Sequence, residues 1–323
     1  MSNKSQIHRL KIEFLEYLEV EKNRSSKTVQ NYDFYLTRFI SETGVRSAAD
    51  ITLPKVKRFR VWLNRMANER NLTGTLSKRT QNYHIIALRS FLKYLAKMDV
   101  LSLAPEKIEL AKEGQRQVEF LEEDELERIV AAPLFDKQGE AVTKPGLIQI
   151  RDKALMELLF STGLRVSEAA GLRREQIHVK RDEFTVRGKG SKLRVVFLND
   201  RARNWLKRYL DARGDTSMYV FVSHDRAKAK GRRKEEDKPL SPRSIERLVE
   251  KYARQAGIVK KVGPHTIRHS FATDLLRNGA DIRSVQAMLG HASITTTQVY
   301  THVTDKGLRE AHKKFHGKGR KNQ

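Results

Sequence analysis

Apolar side chains recur at helical spacing along much of this chain, and that periodicity limits its fold more than any other feature. Residues 1–103 contain four such stripes, separated by helix start and stop signals, and Ser77 is the predicted N-cap of the fourth helix. The stripes consist of Ile7, Leu10, Phe14 and Leu18; Val29, Tyr32, Leu36, Phe39 and Ile40; Val56, Phe59, Leu63 and Met66; and Ile85, Leu88, Leu92 and Leu95. The pattern predicts a compact helical domain.

One later part of the chain has the composition of β-strands. Residues 184–187 and 193–197 are rich in β-branched and aromatic side chains, and the sequence Gly188-Lys189-Gly190-Ser191 between them is typical of a hairpin turn. Lys189 is expected at the tip of this hairpin. The predicted fold class is therefore mainly α with a small antiparallel β-sheet.

The apolar period fades between Ala104 and Gln117, where Pro105 interrupts it and Gly114 lies among charged residues. We expect an exposed linker over residues 104–117, a mixed α+β domain over residues 118–316 and a basic tail over residues 317–323. Within the second domain, Gly163 is expected to end a buried helix, which places Arg165 at a rigid corner between two helices.

The charge balance favours a polyphosphate partner. Lys and Arg number 64 against 39 Asp and Glu, which gives a net charge of +25 and an isoelectric point near 10.2. Such an excess is typical of proteins that bind nucleic acid. A membrane surface is the weaker alternative, because the start of the chain carries neither an acylation signal nor a basic helix with an apolar anchor. Basic residues on the polar faces of the first four helices could follow phosphates or could form an ordinary solvated surface; these are Lys27, Lys55, Lys57, Arg58, Arg60, Lys78, Arg79, Arg89 and Lys93.

Cysteine is absent, so disulfides and thiolate zinc sites are excluded. The apolar runs are too short to span a bilayer and no signal peptide is recognisable, which predicts a cytoplasmic protein without membrane insertion. No Walker-type glycine loop suggests ATP binding, and no cofactor is expected. The basic segment 223–239 is predicted to form a loop, and a role as a nuclear localisation signal is the weaker alternative.

Several residue types in the second half suit phosphoryl chemistry when they are taken as an ordered set. Guanidiniums offer planar, forked donors that match phosphate oxygens, and a tyrosine can serve as the nucleophile. His265 and Arg268 are three positions apart, so they are expected on one helical face. The candidate catalytic residues are Arg165, Lys189, His265, Arg268, His291 and Tyr300.

With this ordered set of residues, the chain resembles the tyrosine recombinase (phage integrase) family, and it is most similar to the Xer-type members. The runs that carry the resemblance are Thr162–Leu172, Gly188–Gly190, Pro264–Leu276 and Leu289–Val303. The resemblance implies a helical, SAM-like core-binding domain followed by the catalytic domain. It also implies a tetramer on paired sites in double-stranded DNA, formed by one recombinase or by two different ones, with the DNA held between the two domains.

The family assigns a role to each matching position. Arg165 and Arg268 would clamp the scissile phosphate, while His265 and His291 would bind its oxygens and assist proton transfer. Lys189 would protonate the leaving 5′ oxygen, and Tyr300 would form a 3′-phosphotyrosyl link that conserves the energy of the cut strand. Glu168, His269 and His302 are interpreted as supporting or packing residues.

Three other functions share some of these sequence features. A zinc site at His265 and His269 is disfavoured, because the glutamate of a helical hydrolytic motif is missing. A type IB topoisomerase would use a similar set of residues to nick and reseal one strand, and a non-catalytic DNA-binding regulator could keep the fold. Chromosome dimer resolution at cell division and mobile-element integration or excision both remain open, as does the target sequence.

Overall fold

A computed structural model describes residues 5–66, 75–113, 119–136, 138–178, 180–188, 193–224 and 238–291, together with Ser293 and Thr297. The chain divides into two compact units, Met1–Arg116 and Gln117–Gln323. Each has a hydrophobic core of its own. Within the described ranges, no helix is both long enough and apolar enough to cross a membrane.

The first unit is built from helices whose buried faces are the apolar stripes. Its helices are α1 (Gln6–Val20), α2 (Ser26–Thr43), α3 (Leu53–Arg65) and α4 (Lys78–Lys97). All four members of the first stripe are buried, and the hydroxyl of Ser77 accepts a hydrogen bond from the backbone N–H of Thr80 at 3.2 Å. The N-cap predicted at Ser77 is confirmed, because a serine at this position satisfies an N–H that lacks a partner inside the helix.

The first half of the predicted linker packs on the first unit. A 3₁₀ turn spans Pro105–Lys107, and Ile108 is only 2% exposed within the first core. The side-chain amide of Asn82 donates to the carbonyl of Ala111 at 2.9 Å and accepts from its N–H at 3.0 Å. Pro105 and Ile108, together with the amide of Asn82, therefore fasten residues 105–111 to the first unit, while the side chains of residues 106, 107, 109 and 110 are exposed.

The second unit surrounds a buried helix, α6. The helices are α5 (Glu123–Ala131), α6 (Leu147–Thr162), α7 (Val166–Ala170), α8 (Asp200–Ala212), α9 (Pro242–Gln255), α10 (Pro264–Arg277) and α11 (Ile282–Leu289). Buried charges on α6 are paired: Arg151 binds Asp152, and Lys153 binds Glu157 at 2.7 Å. The hydroxyl of Tyr252 donates to Asp152 at 2.7 Å, so α6 and α9 are joined by a hydrogen bond that a slipped register would break.

A two-stranded antiparallel sheet lies in the same unit. Strands β1 (Glu183–Arg187) and β2 (Leu193–Phe197) pair with Val186 opposite Arg194 and Phe184 opposite Val196. The hairpin tip with Lys189 lies outside the described residues. The mainly helical architecture with this small antiparallel sheet confirms the predicted fold class.

Candidate active site

Arg165 lies where α6 gives way to α7. Gly163 ends α6 with a positive φ of 57°, and a Cβ at this glycine would lie 2.5 Å from the ring of Phe271. Arg165 is the N-cap of α7, and its backbone N–H donates to the carboxylate of Glu168 at 2.8 Å. Its Nη1 donates to the same carboxylate at 2.9 Å. The helix end predicted at Gly163 is confirmed, and Glu168 then holds both the backbone N–H and the guanidinium of Arg165.

Arg268 projects from α10 and is almost fully buried, with 3% exposure. Its Nη1 donates to the carbonyl of Gly163, and its Nη2 donates to the carbonyl of Leu289 at 2.6 Å. A buried cation is tolerated only where hydrogen-bond acceptors replace its hydration. Arg268 thus ties the turn before Arg165 to the end of α11.

The C-terminal end of α11 binds three guanidiniums through successive carbonyls. The carbonyl of Met288 accepts from Nε of Arg194 at 3.0 Å, and that of Gly290 accepts from Nη2 of Arg165 at 3.0 Å. Between them, the carbonyl of Leu289 binds Arg268. The last carbonyls of a helix lack partners inside it and carry partial negative charge, so they suit cations. Gly290, with a φ of 63°, ends the helix and supplies the last of these acceptors.

His291 follows Gly290 and contacts Arg268 directly. Its Nε2 lies 3.1 Å from Nη2 of Arg268, and its Nδ1 lies 3.0 Å from the hydroxyl of Thr297. A guanidinium can only donate, so Nε2 is the acceptor and the proton of the neutral ring resides on Nδ1, which donates to Thr297. Burial, together with the positive charges of Arg268 and Arg165, lowers the pKa of His291 to about 4. The imidazole is therefore neutral at pH 7.

Glu168 is the acidic centre of the cluster. Arg194 donates to both of its oxygens, at 3.1 Å and 3.0 Å, while Arg165 uses the same two oxygens. Burial alone would raise the pKa of Glu168, but the hydrogen bonds and charges of the two arginines outweigh burial and lower it. The carboxylate is therefore ionised at neutral pH, and it offsets only part of the positive charge of the surrounding guanidiniums.

From sequence, residues 193–197 are predicted only as a strand, and Arg194 is not among the candidate site residues. A signal was present: Arg194 occupies the face of β2 that also carries the buried Val196, while Leu193 and Val195 face solvent. A charged residue in an inward position of an alternating strand requires a buried partner. Which partner it meets could not be read from the strand itself.

The structure brings Arg165, Arg268 and His291 together from the predicted set. His265 lies in the first turn of α10, is exposed, and has its ring stacked with that of His269 at a centroid distance of 6.1 Å. Lys189 and Tyr300 lie outside the described residues. No group of three or more candidate metal ligands occurs in the part of the chain that the structure describes.

Two family models match the chain. The phage integrase family model covers residues 119–307, and the model of the phage integrase N-terminal SAM-like domain covers residues 12–98. Together they span the helical unit and most of the second unit.

Curated relatives agree with these matches over nearly the whole length. The chain is 36% identical over 308 residues to tyrosine recombinase XerC of Thermodesulfovibrio yellowstonii, with 94% of each chain covered. It is 37% identical over 310 residues to tyrosine recombinase XerD of Chlorobaculum tepidum, with 95% of each covered. A solved structure of the XerH site-specific recombinase, bound to palindromic difH substrate in a post-cleavage complex, shares the fold with a TM-score of 0.68 at 24% identity, covering 96% of this chain and 90% of the other. The chain belongs to the phage integrase family and is a tyrosine recombinase, an enzyme of site-specific DNA recombination.

Proposed function

We propose that this recombinase cuts and rejoins duplex DNA by transferring the scissile phosphate to Tyr300, with Arg165 and Arg268 as the phosphate clamp. The observation that carries the proposal is the anchoring of both guanidiniums on neighbouring carbonyls, those of Gly290 and Leu289. Fixed donors of this kind cost little reorganisation when charge develops on the phosphate oxygens. They suit a pentavalent transition state better than mobile lysines would.

In this mechanism the phenolic oxygen of Tyr300 attacks phosphorus, and the bond from phosphorus to the 5′ oxygen breaks. A free phenol titrates near pH 10, so attack at neutral pH requires a base or nearby cations. The surplus positive charge around Arg165, Arg194 and Arg268 lowers the free energy of the developing phenolate. Rejoining is the reverse attack by a 5′ hydroxyl of the same strand or of another one, and it needs no ATP.

The two histidines are proposed to bind phosphate oxygens and to assist proton transfer. His291 is neutral in the free protein, and its Nε2 accepts a hydrogen bond from Arg268. An anion bound beside the ring would favour the protonated form, because opposite charges within a few ångströms raise the pKa of an imidazole. His265, which is exposed in the first turn of α10, is proposed as the second donor to the phosphate.

Lys189 is proposed as the general acid. An alkoxide is a poor leaving group, and a positioned ammonium that supplies its proton is typically worth about a hundredfold or more in rate. In the sequence Lys189 lies between β1 and β2, and it is proposed to supply this proton to the 5′ oxygen.

The proposed partner is double-stranded DNA, and the proposed assembly is a tetramer on two sites, formed by this chain alone or with a second recombinase. The net charge of +25 supports the first part. For the second part, Leu308 and Phe315 form an amphipathic pattern in the terminal segment that would dock on a neighbouring subunit in a head-to-tail ring. Deletion of the residues after Thr304 would then abolish cooperative occupancy of paired sites in a gel-shift assay. Persistent cooperative binding would contradict the ring.

The biological role is proposed to be chromosome dimer resolution in the cytoplasm, at the nucleoid, or integration and excision of a mobile element. Target sites can be recovered by trapping covalent protein–DNA adducts in fragmented genomic DNA with detergent and sequencing the attached strands. A single chromosomal site would support dimer resolution, whereas sites at the ends of one element would support mobility.

The decisive test uses a nicked suicide duplex that carries a recovered site, so that the released fragment diffuses away and the adduct accumulates. Wild type should form a protein–DNA adduct, and Tyr300→Phe, which retains the ring but lacks the nucleophile, should form none. An adduct in both proteins would remove Tyr300 from the reaction. Relaxation of supercoiled plasmids that lack any such site would instead favour a topoisomerase.

A further inference from the structure

Arg194 occupies a position on β2 where the alternation of inward and outward residues predicts an apolar side chain. On β2 it shares the inward face with Val196, and its side chain is 8% exposed. Placing a guanidinium there removes it from water, which is unfavourable unless every donor finds an acceptor. The residue therefore has a strict requirement for partners.

All three nitrogens of the Arg194 guanidinium are engaged. Nη1 and Nη2 bind the two oxygens of Glu168, at 3.1 Å and 3.0 Å, and Nε binds the carbonyl of Met288 at 3.0 Å. The paired contact with Glu168 is the bidentate geometry that a lysine cannot reproduce. These bonds use one donor on each nitrogen, three of the five that a guanidinium carries. Since the side chain is only 8% exposed, a supporting role is favoured over direct contact with phosphate.

The two partners of Arg194 also serve Arg165. Glu168 binds both arginines, and the carbonyl of Met288 lies in the same helix end as the carbonyl of Gly290, which binds Arg165. Glu168 holds the backbone N–H and Nη1 of Arg165, and the carbonyl of Gly290, two residues after Met288, holds its Nη2. The stem of Arg194 also covers Gly290, because a Cβ built there would lie 2.8 Å from Cδ of Arg194. Arg194 thus fixes the carboxylate and the turn that between them hold Arg165.

We propose that Arg194 is a positioning residue for strand cleavage, which aims Arg165 at the scissile phosphate by holding Glu168 and the end of α11. This inference rests on the proposed role of Arg165. Without Arg194, each oxygen of Glu168 loses one donor, and the carboxylate can rotate towards Arg165 and draw its guanidinium away from Gly290. A displacement of about 1 Å in a catalytic group can lower a rate by about a hundredfold.

Two simpler roles for Arg194 make different predictions. If it contributed only positive charge, Arg194→Lys would retain full activity. If it only tethered the β1–β2 hairpin that carries Lys189, its loss would affect the departure of the 5′ oxygen. A duplex with sulfur in place of the bridging 5′ oxygen distinguishes the second role, because a thiolate leaves without needing a proton and makes the general acid dispensable.

The experiment compares Arg194→Gln and Arg194→Lys with wild type in single-turnover cleavage of the suicide duplex at saturating protein. Both variants should cleave about ten- to a hundredfold more slowly, with affinity for the intact site within about threefold. Arg201→Gln is the matched control, because Arg201 makes a bidentate pair with Glu127 and contacts Glu157 at 3.3 Å, and neither carboxylate is a partner of Arg165. Its cleavage rate should stay within about twofold of wild type.

A double-mutant cycle with Glu168→Gln tests whether the two residues act together. Adding Arg194→Gln to Glu168→Gln should slow cleavage little further, because the carboxylate through which Arg194 acts is already neutralised. Full activity of Arg194→Lys, additive effects in the cycle, or recovery of the rate on the sulfur-bridged duplex would each overturn the proposal.

A measurement on the free protein keeps the inference separate from the proposed reaction. Side-chain NMR of Arg165 reports how rapidly its guanidinium rotates. Rotation should be faster in both Arg194 variants and unchanged in Arg201→Gln. Unchanged rotation in all three would refute the positioning role, whereas absence of a wild-type adduct would refute the proposed function of Tyr300.

Discussion

Arg268 donates a hydrogen bond to Nε2 of His291 across 3.1 Å, and this contact fixes the tautomer of the imidazole. The ring nitrogen nearest the clamp is therefore an acceptor in the free protein, while Nδ1 is occupied by Thr297. A phosphate oxygen that accepts the hydrogen bond from Nη2 of Arg268 would leave Nε2 of His291 available to bind a proton. Substrate binding and protonation of His291 are thereby coupled.

The titration of His291 is the first prediction. Its pKa should lie near 4 in the free protein and should rise when DNA binds, because the phosphate offsets the charges of Arg268 and Arg165. The imidazole C–H signal followed by NMR against pH, with and without the target duplex, measures both values. A free-state pKa near the ordinary value of about 6.5 would contradict the burial argument.

The same shift makes folding sensitive to acid. The unfolded chain takes up a proton on His291 as pH falls through about 6.5, whereas the folded chain resists until about pH 4. Acidification through this window should therefore lower the free energy of unfolding. In His291→Asn, which cannot titrate, the decline should be shallower, and equal slopes in urea denaturation would show that His291 does not contribute.

Replacing Gly163 by alanine should destabilise the second unit strongly. Its φ of 57° is costly for any residue with a Cβ, and that Cβ would also lie 2.5 Å from the ring of Phe271. We expect a loss of about 2–4 kcal/mol in the free energy of unfolding. Gly257→Ala is the control, since its φ is 70° but nothing lies within 4 Å of the new Cβ, and it should lose only about 1 kcal/mol. Similar losses in both variants would exclude the clash with Phe271.

Gly290→Ala should impair cleavage beyond its effect on stability. The added Cβ would lie 2.8 Å from Cδ of Arg194 and 3.9 Å from Nη1 of Arg165. Displacement of these side chains should slow single-turnover cleavage about tenfold or more at temperatures where the variant remains folded. Gly279→Ala also places a Cβ on a residue with a positive φ, here 91°, but in open space. Its cleavage rate should stay near wild type, and a comparable slowing there would point to general loss of stability.

DNA binding should weaken steeply as salt increases. Each phosphate that the protein neutralises releases condensed counterions, which gives a slope of about −0.9 in a plot of log affinity against log salt concentration. With a net charge of +25, we expect a slope corresponding to several phosphates, measured by fluorescence anisotropy on the target duplex. A response that is nearly independent of salt would contradict binding along the DNA backbone.

Local patterns predicted most of the fold. The stripe of Ile7, Leu10, Phe14 and Leu18 is buried as expected, because a helical period places those side chains on one face. Gly163 and Gly290 end their helices in the left-handed region, a conformation that glycine adopts without strain. Helix ends and buried faces depend on neighbouring residues, so they can be read from sequence.

Contacts between distant segments could not be predicted in this way. Arg194 meets Glu168 only because the tertiary fold brings this side chain of β2 within hydrogen-bond distance of α7, and Ile108 is buried although no apolar period surrounds it. His265 and Arg268 share α10, yet one is exposed and the other buried, because burial depends on which elements pack over each turn. The family resemblance supplied candidate residues, whereas their supporting contacts required the tertiary structure.

The three carbonyls at the end of α11 have a consequence for how this enzyme can change over evolution. The Cα atoms of adjacent residues are held about 3.8 Å apart by covalent geometry alone, so the spacing of the carbonyls that bind Arg268 and Arg165 follows from the main chain. The side chains of Met288 and Leu289 take no part in those bonds. Homologues can therefore exchange them for others of similar volume while the carbonyls of Leu289 and Gly290 still bind Arg268 and Arg165.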